Sequence, residues 1–274
     1  MTTLEQAAQA VAAMPGRQSQ VGKLLRAWRE RRRLTQLDLA LAADVSTRHI
    51  SFVETGRSKP TSAMILHLSD QLEIPLRERN MLLLAGGYAP AYPEHELNSP
   101  PMSAVNEAIN SVLEGHEPYP AVVVDRHWEL VAANAAIAVL TEGSAGRLLE
   151  PPVNVLRLSL HPDGMAPRIA NLGDWREHIL HRLAHQAQTT GDAQLRELHD
   201  ELTGYPGGQS HATAGQSPAI VVPLRYRTAH GELSFFSTTT VFGTPLDVTV
   251  AELAIEAFYP ADPGTAQILK SLAG

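Results

Sequence analysis

Thr47, Arg48 and Ser51 fall on one outward face of a short stretch with helical spacing, and together they have the chemistry to read base edges in the major groove of DNA. Arg can bind guanine through two hydrogen bonds, and a hydroxyl can serve either base. Phe52 lies beside them and His49 at the margin. Gln36, one helix earlier, and Arg57, Ser58 and Lys59, just after, are placed to hold phosphates, which sets docking register without choosing sequence.

Two helices and a sharp turn must position these side chains. Thr35 is a natural N-cap, and Asp38 three residues on can answer its backbone, a capping-box start. Leu39, Ala40 and Ala43 form the buried stripe of this first helix. Asp44 stands where the chain turns, and Asp is among the few residues that tolerate the positive φ such a corner demands. Val45 plugs the corner, Ser46 caps the next helix, and Ile50 and Val53 are its inward residues. Around this pair, Val21, Leu24, Leu25 and Trp28 predict an amphipathic helix from about Val21 to Arg33, ending in Arg31, Arg32 and Arg33. Cations there suit the helix dipole, and equally the path of a phosphate backbone. Pro60 and Thr61 open a fourth helix to about Leu72, and Pro75 a fifth from about Leu76 to Ala85, stopped by Gly86 and Gly87.

The pattern T-Q-x-x-L-A-x-x-A followed by V-S-x-x-x-I-S-x-x-E-x-G-x-x-x-P resembles the xenobiotic-response-element type of helix-turn-helix, the phage lambda repressor and Cro class. That class commonly has Gly where this chain has Asp44, and Gln where it has Thr47. A different preferred operator is therefore expected.

Charge distribution agrees with a DNA-binding first half. The chain carries a net −7 over 274 residues, yet between Arg17 and Gly87 twelve Lys and Arg face seven Asp and Glu, a net +5 that leaves −12 for the rest. A basic module on an acidic body docks by one face. At this length two domains are expected. No stretch approaches the about 20 apolar residues of a membrane helix, the N-terminus makes a poor signal peptide, and no Cys is present, so a cytoplasmic location is expected.

In order, the predicted organisation is a flexible lead over 1–16, a helix-turn-helix domain over 17–87, a proline-stiffened linker over 88–102 with four prolines, and a second domain over 103–274. The second domain reads as a helix from Ala104 to Glu114, strands at Ala121 to Asp125 and Trp128 to Ala133, and a short helix after Asn134. A helical stretch follows from about Trp175 to Thr203, interrupted near Gly191. Strand-like segments then run over Ile220 to Arg227, Leu233 to Phe242 and Glu252 to Pro260. Strand, turn, strand, Asn and helix resembles the opening of a PAS-like sensor fold. The whole suggests an α+β domain, an antiparallel sheet with helices on one side.

The phrases PYPAVVVDRHWELVAANAA, NVLRLSLHPDG, GELSFFSTTTVFGTPLDVTVAELAIEAFYPAD and PLRERNMLLLAGGYAP are similar to the MmyB-like transcription regulators, over most of residues 20 to 270. That resemblance implies a bacterial regulator, a helix-turn-helix followed by a PAS-like domain that accepts a fatty acid or similar aliphatic molecule, with no other cofactor. Such a ligand asks for an apolar slot with one or two polar groups at its mouth. Trp128, Val131, Leu156, Trp175, Ile179, Leu183, Phe235 and Phe242 are the expected lining, and Arg157 or His161 the expected partner of a carboxylate. Asn134 is expected either to touch ligand or to cap its helix. For most of the aromatic side chains, plain core is the competing role.

His178, His181 and His185 recur at i, i+3, i+7, a metal-presenting spacing, but further ligands are wanting and an exposed polar face is the default. HPDG at His161 to Gly164 reads as a turn. No nucleophile elbow, phosphate loop or dinucleotide fingerprint occurs, so no catalytic residue is assigned. One recognition helix covers a half-site, so a homodimer on a double-stranded operator is expected, with ligand binding modulating its affinity. Two rivals stand beside this: a DNA-binding protein whose second domain recruits or dimerises without a ligand, and one whose second domain is catalytic.

Overall fold

The computed structural model describes residues 17–207 and 222–273. The expected lead over 1–16 lies outside the described residues. The described residues divide into two units, the first comprising 17–95 and 245–251 and the second 96–207, 222–244 and 252–273.

Five helices make the first unit: α1 (Arg17–Arg31), α2 (Gln36–Ala42), α3 (Thr47–Glu54), α4 (Ser62–Gln71) and α5 (Leu76–Gly86). Local chemistry sets their ends. Thr35 and Asp38 form the reciprocal capping box of α2, Ser46 caps α3 and Thr61 caps α4 through their hydroxyls. Asp44 turns the corner at φ 50°, and Gly87 ends α5 in the left-handed conformation at φ 84°. Val21, Leu25, Trp28, Leu39, Ile50, Val53, Ile65 and Leu68 meet in one core.

The linker prediction needs correcting. Residues 88–95 fold back on the first unit, where they satisfy the buried Asn80. Its Oδ1 accepts from the Ala91 and Tyr92 amides at 3.0 and 3.1 Å, and its Nδ2 donates to the Tyr92 carbonyl at 2.7 Å. Residues 245–251 join the same unit. Asp247 accepts from the His95 ring at 2.8 Å, and Thr249 donates to the His95 carbonyl at 2.7 Å.

In the second unit, α6 (Ser103–Gly115) precedes β1 (Ala121–Val124) and β2 (Leu130–Ala133). The helices α7 (Ala138–Thr141), α8 (Val155–Leu160), α9 (Leu172–Thr190) and α10 (Ala193–Thr203) follow. Then come β3 (Leu224–Thr228), β4 (Gly231–Val241), α11 (Val248–Ala251, in the first unit), β5 (Ala254–Pro260) and α12 (Pro263–Ala273). The strands form one antiparallel sheet in the order β2-β1-β5-β4-β3, an α+β, PAS-like arrangement.

Helices cover β1 on both faces rather than one. Ile109 and Leu113 of α6 pack with Ala121 and Val123, whereas Val122 and Val124 enter the main core with Trp175, Ile179 and Leu183. An unbroken AVVV run is the signature of a strand buried on both sides. The β1–β2 hairpin also differs from the prediction. Trp128 is not in the strand but in the turn, at φ 67°, where the Asp125 carboxylate accepts from the His127 and Glu129 amides at 2.8 Å. The predicted strand near 220 begins at Leu224, and residues 220 and 221 lie outside the described residues. The closing helix α12 carries no signal used in the sequence reading.

Candidate functional sites: a DNA-reading face and an apolar cavity

On α3, Thr47 and Arg48 are exposed, and His49, Ser51 and Phe52 are half-buried. Phe52 lies close to two cations. The Arg48 guanidinium lies 5.1 Å from its ring centroid and that of Arg57 lies at 5.9 Å. Its carbonyl accepts from the Arg57 and Ser58 amides at 2.8 and 3.1 Å, which ties the exit loop to the recognition helix. Lys59 is exposed and stands over Tyr88 at 5.3 Å.

Gln36 is held from beneath. Its Nε2 donates to Glu54 Oε2 at 2.8 Å, and Glu54 is in turn gripped by Arg29. One amide N–H of Gln36 is thereby oriented, leaving the second to point elsewhere. Of the Arg31 to Arg33 run, Arg32 is structural. It donates to the Leu72 and Glu73 carbonyls at 2.8 Å, clamping α1 to the end of α4.

The second unit holds a partly open cavity of about 230 Å³. Trp128 and Leu130 from the hairpin, Leu156 and Ser159 from α8, and Phe258 from β5 bound it. One face of α9 supplies Trp175, His178, Ile179 and Arg182, at i, i+3, i+4, i+7. Both indole N–H groups are satisfied elsewhere, Trp128 by Gln186 Oε1 at 2.8 Å and Trp175 by Ser159 Oγ at 3.1 Å, so the rings present apolar surface. The volume is below the about 300–1,000 Å³ of drug-sized sites, which favours a slender ligand.

One wall is polar. Arg182 pairs with Glu256 through both terminal nitrogens, one of them at 3.2 Å, and donates to Thr239 Oγ1 at 2.7 Å. Its guanidinium lies 4.5 Å from the Trp128 ring centroid. Burial holds the His178 imidazole below its ordinary pKa, the Arg182 charge pushing the same way.

Four of the expected lining residues bound this cavity: Trp128, Leu156, Trp175 and Ile179. The others do not. Val131 and Phe242 pack on the opposite face of the sheet with Ile109 and Leu113. Leu183 and Phe235 are plain core, both fully buried, with Phe235 edge-on to Phe258 at 6.2 Å. Asn134 neither lines the cavity nor caps a helix. It accepts from the Ala121 amide at 3.0 Å and donates to the Tyr119 carbonyl at 2.7 Å, fastening β1. Arg157 is spent on Glu201 at 2.7 and 2.8 Å. His161 closes the HPDG turn by accepting from the Asp163 amide at 2.9 Å, and it lies edge-on to Tyr205. Among the described residues no group of three or more His, Asp or Glu gathers to hold a metal ion; His181 and His185 face solvent while His178 faces the cavity.

Sequence reasoning missed Arg182, Ser237 and Glu256, and took His178 for part of a polar face. The signal for two of them was present. Trp175 and Ile179 were expected to line the pocket, and the helical repeat that joins them also passes through His178 and Arg182.

Residues 105–272 match the family model for the MmyB-like transcription regulator ligand binding domain, and residues 25–79 match that for a helix-turn-helix. No curated protein matches the chain. Among solved structures, it is similar to a chain described as the structure of an RNA-binding Light-Oxygen-Voltage receptor. That match has 14% identity, covers 100% of this chain and 68% of the other, and has a TM-score of 0.28, too low to support an argument. Among the described residues no helix is long and apolar enough to cross a membrane.

Proposed function

Because the chain belongs to the MmyB-like transcription regulators, DNA-binding proteins with a ligand-binding domain, we propose that it is a cytoplasmic homodimer whose operator affinity is set by a small apolar ligand, a fatty acid or a close relative. The observation that carries the ligand reading is the cavity itself: partly open, lined by two tryptophans and several aliphatic side chains, with Arg182 and Glu256 paired in its lining. No catalytic role is assigned to it. The family and the exposed Thr47 and Arg48 support insertion of α3 into the major groove, with Gln36, Arg57, Ser58 and Lys59 on phosphates. A dimer supplies the second half-site.

A ligand that binds one state of the protein better than another shifts operator affinity by that difference, about 1–3 kcal/mol in typical cases. The test is to select an operator from random duplexes with the purified protein, then titrate saturated fatty acids of 8 to 18 carbons. Thermal stabilisation of the second unit and a change in operator affinity are expected together. If neither moves with any chain length, the sensor reading is lost and the second domain is left as an interaction module.

A further inference from the structure

We propose that the cavity holds the carboxylate of a fatty acid between Arg182 and His178, and that binding takes up a proton on the His178 ring. This rests on the cavity being the fatty-acid site, and adds the head-group partners and the pH dependence they impose. Arg157 and His161, expected from the sequence to meet the carboxylate, are engaged elsewhere. Arg182 can take a ligand oxygen without giving up Glu256. A guanidinium carries five N–H donors. Among the described residues Arg182 spends two on Glu256 and one on Thr239 Oγ1, which leaves its Nε–H and one Nη1–H. Its side chain stays partly exposed while that of Glu256 is buried, so the guanidinium is reachable where its partner is not.

Charge decides the second partner. Arg182 and Glu256 cancel, so an arriving carboxylate leaves the site one negative charge in excess, and a charge taken from water without its opposite is costly. Among the described residues lining the cavity, Arg182, Glu256 and His178 are the ones that titrate, and of these His178 alone can add positive charge. Among the described residues no hydrogen bond ties its ring, which lies against the Trp175 indole with 5.7 Å between centroids. The groups that face it are Arg182 and His181 from α9 and Glu256 from β5; the hairpin, α7, α8, β3 and β4 bring only neutral side chains to the cavity. Without ligand, burial and the Arg182 charge hold the imidazole below its ordinary pKa. A carboxylate beside it acts the other way and raises that pKa. The proton is therefore taken up between the free and bound values, and affinity falls as the pH rises through that window, levelling off above it.

The experiment titrates the delipidated full chain with decanoate and with decan-1-ol, by calorimetry at pH 7 in buffers of different ionisation enthalpy, which counts protons. Decanoate should take up about half a proton or more per molecule bound, and decan-1-ol none. Decanoate that binds without proton uptake overturns the proposal. His178→Gln should abolish the uptake and lose at least about tenfold more affinity for decanoate than for decan-1-ol, the equivalent of one pKa unit. Uptake that persists in the folded variant places the proton on the ligand or on Glu256 and also overturns it. Should that variant fail to fold, nitrogen-15 spectra of the unmodified protein decide: the imidazole lying against the Trp175 indole must pass from neutral to protonated when decanoate is added, and a ring that stays neutral overturns the proposal. If neither compound binds or protects the protein against heat, the ligand-site reading itself falls, and the head-group assignment with it.

Discussion

Arg29 on α1 and Glu54 at the end of α3 are joined by two hydrogen bonds, Nε to Oε1 at 2.6 Å and Nη2 to Oε2 at 2.9 Å, with both side chains buried. Gln36 at the start of α2 donates to the same carboxylate, so one anion fastens three helices and aims a residue proposed to hold phosphate. Removing one member of such a pair typically costs about 3–5 kcal/mol, because the other is left charged and buried. Glu54→Ala should therefore raise amide exchange across α1 to α3, while Arg29→Met with Glu54→Leu restores most of the protection. If the single change costs no more than breaking the exposed Arg26–Glu30 pair, this account of the core is wrong.

Gly22 tests the same packing from the other side. In most helix interiors Gly→Ala gains about 0.5–1 kcal/mol. Here a Cβ would stand 2.2 Å from the Val53 carbonyl oxygen, and that backbone belongs to the recognition helix. Gly22→Ala should reverse the usual sign, costing about 1–3 kcal/mol as α1 is forced away from α3. A higher melting temperature of the first unit would show that α1 has room to move.

Readers and anchors should separate on DNA. Arg48→Ala should cost about 1–3 kcal/mol at one base position and relax choice there, whereas Lys59→Ala should weaken all sequences alike and reduce the salt slope by about one. Binding titrations on the selected operator and its single-base variants, at several salt concentrations, make the comparison. Identical behaviour of the two variants would remove the division.

Acid should loosen the second unit through His178. Burial, reinforced by Arg182 and His181 and opposed by Glu256, holds its folded pKa below the about 6.5 of an unfolded chain. In between, the unfolded state binds the proton and the folded state does not, so stability falls as the pH falls. The contribution of neutral His178 is complete above the unfolded value and is lost on acidification towards the folded one. His178→Gln should accordingly lose less melting temperature than the parent between pH 7 and pH 5; parallel curves would place the acid sensitivity elsewhere.

The helix-turn-helix was legible because its determinants are local. Thr35 with Asp38, Ser46 with the His49 amide, and Asp44 at its corner each act across three residues or fewer, so type and spacing carry the geometry directly. Even there, Gln36 hides a dependence on Glu54 and Arg29 that spacing does not show. The cavity was half legible. Trp128, Leu156, Trp175 and Ile179 announce themselves as large and apolar, but so do Leu183 and Phe235, and composition has no means of telling a side chain that borders empty space from one that fills it.

By itself the amino-acid sequence determined the capped helix pair, its exposed Thr47 and Arg48, the sheet-forming segments and the family. It could do so because caps, turns and periodicity act between neighbours along the chain. Tertiary structure alone decided that Arg182 of α9 spends its charge on Glu256 of β5, 74 residues away. It also decided that Asn80 recruits the supposed linker and that Val131 faces away from Trp128. Those outcomes depend on which elements meet, and a cavity is the space left between elements when they do.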